Sequence, residues 1–184
     1  MLIGRTMRTV QVSLLWPGLL IGAVAGAAGT TALNVIGYLD IAVRGRPAST
    51  TPERAVEALA DLFGFTVPGS GDTLASRLSG LGALTGYAAG IGMGLILGLA
   101  YALGWRPKLW LAIVVATGLA LVGTNAPMTV LGVTNPLTWG AVGWISDLIP
   151  HLGYGVVAAA VLYYLYPPER AAALTPSRKM TEPG

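Results

Sequence analysis

Four stretches of the chain run without a formal charge: between Arg8 and Asp40, between Arg77 and Arg106, between Lys108 and Asp147, and between Asp147 and Glu169. An α-helix rises about 1.5 Å per residue and the hydrocarbon layer of a bilayer is about 30 Å thick, so one crossing takes about 20 apolar residues. Each stretch reaches that length. None alternates polar and apolar residues with a period of two, and a sheet edge exposed to lipid leaves backbone groups unsatisfied, so strands are a poor reading. The pattern predicts helices at residues about 12–39, 72–103, 108–128 and 146–166.

The first of these opens behind Arg5 and Arg8, as a secretory signal does, with Ala23-Val24-Ala25 resembling a cleavage site. The uncharged run continues well past those small residues to Tyr38, longer than the 7 to 15 residues of a signal core, so a retained span is expected. Ser70, Gly71 and Asp72 are candidate caps for the second span, and Gly-Trp-Arg-Pro at 104–107 ends it. The third stretch is too long for one helix. Asn125-Ala126-Pro127 reads as the frayed or kinked end of its span, and Asn135-Pro136 as a turn. The last span ends before Pro167-Pro168. Two starts are compatible with it: near Leu137 with a bend at Pro150, or near Ile149 with 137–147 lying along the interface.

The first connection holds its own pattern. Thr50-Thr51-Pro52-Glu53 reads as a helix start with a capping box. Val56, Leu59 and Phe63, with Ala55 and Leu62 beside them, then share one face, while Glu53, Glu57 and Asp61 share another. An amphipathic helix over residues about 52–64, stopped at Gly64, is expected to lie on the membrane surface or over the helix ends. An alternative use of its acidic face is docking a basic partner.

Composition sharpens the class. Of 184 residues, 54% are hydrophobic and 10% charged, against roughly 25% charged in soluble domains. The fold class expected is therefore all-α: a polytopic membrane protein forming one domain, a four-transmembrane-helix bundle with a short amphipathic helix between spans 1 and 2, and a disordered tail from about residue 169. Charge then sets orientation, because short cytoplasmic loops are enriched in Lys and Arg. Arg5, Arg8, Arg106, Lys108, Arg170, Arg178 and Lys179 fall on one side, against Arg44, Arg46, Arg54 and Arg77, which share their connection with five acids. Both termini are expected inside, in a cell inner membrane. Trp16, Trp105, Trp110, Tyr163, Tyr164 and Tyr166 fit the inner boundary, and Tyr38, Trp139 and Trp144 the outer one. Arg44, Arg46, Arg106 and Lys108 are placed as anchors or lipid-headgroup contacts.

Glycine spacing is the most specific pattern. Gly82, Gly86, Gly90, Gly94 and Gly98 recur every fourth residue in the second span, and Gly18, Gly22 and Gly26 do so in the first. Such faces let backbones approach closely where lipid offers no hydrophobic drive. Two readings stay open: the first two spans pack on each other within one chain, or the glycines form a seam in a homo-oligomer or larger membrane complex.

Chemistry is sparse. With no cysteine and one histidine, cysteine-ligated zinc, iron–sulfur clusters and thiol catalysis are excluded. Phosphate-loop, dinucleotide, HExxH and GxSxG motifs are missing, no cofactor is expected, and a net charge of +3 arising from topology argues against nucleic acid. Asp147 and His151, four residues apart, stack on one face of a continuous helix, with Tyr154, Asn34 and Tyr38 as extensions of a polar track. The readings are a structural hydrogen bond, a proton or ion pathway, or a headgroup-level pair. A non-enzymatic structural, accessory or oligomer-forming component is the leading expectation. A small channel or proton-linked transporter using Asp147 and His151 is the alternative, and a lipid-acting enzyme has only these residues and the arginines behind it.

Pro127-Met128, Gly132-Val133-Thr134, Pro136, Trp139, Ser146-Asp147-Leu148 and His151-Leu152 with Tyr154 resemble the last third of the YagU-like family of small bacterial inner-membrane proteins. The resemblance covers about a quarter of the chain. It implies few spans, an acid followed by His-Leu at the opening of the final helix, and a part in acid tolerance. It carries over no catalytic residues.

Overall fold

The computed structural model describes the backbone over residues 3–166 and side chains over residues 15–166. The tail expected from about residue 169 lies outside the described residues. All regular structure among the described residues is helical: α1 (Ile3–Arg44), α2 (Thr51–Leu62), α3 (Gly71–Ala102), α4 (Leu109–Val130) and α5 (Ala141–Leu165), with a 3-10 turn at Pro136–Thr138. Four of these helices are long and apolar enough to cross a membrane: Leu15–Arg44 of α1, and α3, α4 and α5. At about 1.5 Å per residue, α4 alone extends about 33 Å, enough for the hydrocarbon layer. Large side chains such as Leu20, Leu84, Val114 and Ile145 point outward, while the interior combines alanines, among them Ala25, Ala116, Ala120, Ala158 and Ala159, with a few large residues, Tyr101, Tyr154 and Leu162. Small residues at the helix contacts let backbones approach closely, as packing in lipid requires.

The bundle is organised by α1, which packs along both α3 and α5, and α4 leans on α5. The glycine ribbons explain the first pairing. A Cβ built at Gly22, Gly26, Gly94 or Gly98 would lie under 3.0 Å from backbone of the opposing helix, with Gly22 facing Gly94 and Gly98, and Gly26 facing Gly90. Gly18 closes the seam against Gly98 and Ala102. The two ribbons therefore interlock antiparallel within one chain. They do not run to their full length: Gly82 is covered by Pro52 of α2, and Gly86 has nothing within 4 Å.

Three local expectations are corrected. The last span is a single helix from Ala141 through Pro150, so its start lies between the two positions considered. Proline is tolerated inside membrane helices because neighbours take up the freed backbone groups. Likewise α4 passes through Asn125-Ala126-Pro127 to Val130 rather than ending there; Thr129 Oγ1 donates to Asn125 O at 2.7 Å within that last turn. Finally, α2 begins without a capping box. Thr50 makes no side-chain cap, and Ser49 Oγ instead accepts from Thr51 N at 3.2 Å. Its buried face is Ala55, Val56 and Ala60 against α3, whereas Phe63 is 73% exposed and Leu62 is exposed beside it. The main contact of α2 is with α3, and two turns of small residues fill it.

Candidate functional site

The polar residues of the bundle gather toward the end that carries α2. Asp147 and His151 lie about 9 and 15 Å along α5 from its first residue, in the first half of a helix about 37 Å long. His151 is 7% exposed, and its Nδ1 lies 2.7 Å from the backbone oxygen of Asp147 and 3.5 Å from that residue's Oδ1. A carbonyl oxygen only accepts, so Nδ1 carries the ring hydrogen; this tautomer is assigned from the hydrogen-bond network.

The opposite nitrogen is held by α4. Thr124 Oγ1 is 3.0 Å from Nε2 and also 2.9 Å from Ala120 O. A hydroxyl owns one hydrogen. With the ring neutral, Thr124 donates it to Nε2. With the ring protonated, Nε2 donates to Thr124, and the hydroxyl turns to Ala120 O. The next α4 residue completes the site, as Asn125 Nδ2 donates to Asp147 Oδ2 at 2.9 Å. Asp147 and His151 are thus paired across helices with Asn125 and Thr124, neither of which the sequence reading included. The signal was present: a Thr-Asn step inside a span whose other residues are almost all apolar is costly unless it meets a partner.

The other predicted members go elsewhere. Tyr154 is 1% exposed, and its hydroxyl donates to Gly90 O at 2.7 Å while its ring covers Gly29, so it ties α5 to the glycine seam of α1 and α3. Tyr38 is exposed and Asn34 half-buried, and no hydrogen bond among the described residues joins either to Asp147 or His151. The continuous polar track through the first span is therefore not formed.

The four anchors divide in the same way. Arg44 donates to Asp40 Oδ1 at 3.2 Å and to Ser146 Oγ at 2.9 Å, bridging the end of α1 to α5 one residue before Asp147. Arg46 Nε donates to the other Asp40 oxygen at 2.5 Å. Two cations share one carboxylate there, so a positive charge is left over. At the opposite end Arg106 donates to Tyr101 O and to Trp105 O, the latter at 2.8 Å, and its guanidinium lies 4.5 Å from the Tyr166 ring centroid and 5.2 Å from that of Tyr101. Lys108 is exposed.

An ionisable pair embedded in a bundle of four long apolar helices defines the class as a multi-pass α-helical membrane protein. No protein-family model, no curated protein and no solved structure matches the chain.

Proposed function

We propose that the chain is a non-enzymatic component of a bacterial inner membrane, with both termini cytoplasmic, that works as an accessory or oligomer-forming member of a membrane assembly. The observation that carries this reading is the closed interior below His151. Tyr101, Ala116, Ala120, Ala158, Ala159 and Leu162, each buried to 2% exposure or less, fill the axis from the polar site to the far end. That packing supports a scaffold over an open pore in a single chain. The excess of Lys and Arg at the ends of α1, α3 and α4 remote from α2 supports the orientation. Kinship with the YagU-like family, drawn from the stretch between Pro127 and Tyr154, belongs to the same proposal. Gentle solubilisation and affinity purification test it: a stoichiometric second polypeptide, or a mass of two or more copies in nanodiscs, is expected. A lone monomer in both media rejects it.

A second reading, proton-linked transport, draws on the Asp147–Asn125 and His151–Thr124 pairs, which hold ionisable groups inside the bundle. Proteoliposomes test this one, and proton flux that is the same for the native chain and for His151→Ala eliminates it.

A further inference from the structure

Because α3 is drawn onto α1 by glycine and α4 leans on α5, the two helices joined by the short connection after Ala102 diverge along their outer faces. A groove of about 480 Å³ is left between them, lined by Ile96, Leu97 and Ala100 of α3, Val115 and Leu119 of α4, and Leu103 and Trp105 of the connection. That volume lies in the roughly 300–1,000 Å³ range of small-ligand clefts. From Leu109, where α4 begins, to Leu119 the rise is about 15 Å, one leaflet's share of a hydrocarbon layer about 30 Å thick. The groove thus opens at headgroup level and stops near the midplane, matching the reach of one acyl chain.

Charge identifies the rest of the occupant. Every acid among the described residues, Asp40, Glu53, Glu57, Asp61, Asp72 and Asp147, belongs to the α2 end. The connection between the two helices carries the formal charges of Arg106 and Lys108 beside Trp105, with Lys108 in helical register with Val115 and Leu119, and no carboxylate among the described residues pairs with either cation. Arg106 is held in place by two backbone carbonyls and by the rings of Tyr101 and Tyr166, so its charge is fixed over those rings, one residue along the chain from Trp105, rather than swinging on a free side chain. Lys108, exposed at the start of α4, supplies a mobile second cation.

We infer that the groove between α3 and α4 is a binding site for an anionic glycerophospholipid, with one acyl chain against Ala100 and Val115 and the phosphate held at Arg106 and Lys108. The inference rests on the membrane-spanning fold and not on the accessory or transport readings.

Native mass spectrometry of the full chain, released from detergent after incubation with phosphatidylglycerol or phosphatidylcholine, tests it. The native chain is expected to retain phosphatidylglycerol in preference to phosphatidylcholine. Each near-surface cation contributes about 1 kcal/mol to anionic-lipid attraction, so Lys108→Gln should cut the phosphatidylglycerol signal roughly fivefold while leaving the phosphatidylcholine signal as it was. Filling the groove with Ala100→Phe should lower both signals. Val115→Phe serves the same purpose should Ala100→Phe disturb folding, judged by helicity and monodispersity. Equal retention of the two lipids, or lipid adducts indifferent to all three substitutions, overturns the assignment. So does a second polypeptide chain occupying the groove in its place.

Discussion

Thr124 is the residue on which the polar site turns, because its single hydrogen must answer both His151 Nε2 and Ala120 O. Replacing it with valine keeps the shape and leaves the buried imidazole nitrogen without a partner, which should cost about 1–2 kcal/mol, whereas Thr124→Ser should lose less. Unfolding of the purified variants in detergent, followed by circular dichroism, measures the difference. Tyr154→Phe is expected to fall by about 0.5–1.5 kcal/mol in the same assay, since Gly90 O keeps its helical partner while the tie to α5 is lost. A Tyr154→Phe variant as stable as the native chain would show that ring packing alone holds α5 there. The vertical half of this site was legible from the chain alone: a four-residue step between an acid and a histidine stacks them on any helix. The lateral half was not. Asn125 looked like a helix end because Pro127 follows it, and only the alignment of α4 against α5 turns its amide toward Asp147.

Between helices, glycine decides which faces meet. Gly94→Ala would drive a methyl group into the α1 backbone at Gly22 and Gly26, and such overpacking should cost at least about 1–3 kcal/mol. Gly92→Ala, two residues away and facing open space, should be neutral or stabilising by up to about 1 kcal/mol, because alanine is the better helix former. Equal effects from the two, by thermal unfolding in one detergent, would remove the interlocking seam as the organiser of the bundle. Gly90→Leu follows the first case: its side chain would fall on Thr30 of α1, so unfolding of the single chain is the expected result. The existence and length of the four spans could be read directly, since an uncharged run of that length has few other uses. Both ends of the second span and the end of the last also fall within a residue of the expected positions, but whether a proline within a span marks an end could not be read. Whether a proline stops a helix depends on whether its neighbours take up the freed carbonyl, and Pro127 and Pro150 both lie inside helices that continue.

For the molecule as a whole, the antiparallel run of α1, α3, α4 and α5 puts the α2 end and the α3–α4 connection on opposite faces of the bilayer. Cysteines introduced as Phe63→Cys and Lys108→Cys, in a chain that has none of its own, should be labelled by an impermeant maleimide from opposite sides of the membrane. Labelling of both from one side refutes the bundle's threading, and labelling of the Lys108 position from outside the cell reverses the proposed orientation.

The partners of α1 are not its neighbours in the chain. Its glycine face waits for α3, and its other face waits for α5, which starts only at Ala141. At a synthesis rate of about 5–20 residues per second, the first helix spends roughly 5–20 s in lipid before its last partner emerges. The glycine face is covered once α3 follows, but until α5 arrives Gly29 and Ile36, which meet Tyr154 and Gly153 of that helix, face the acyl chains unprotected. A ribosome that stops short of α5 would release a product whose oldest helix is still half undressed, and quality-control proteases that survey the membrane for such surfaces would find it first.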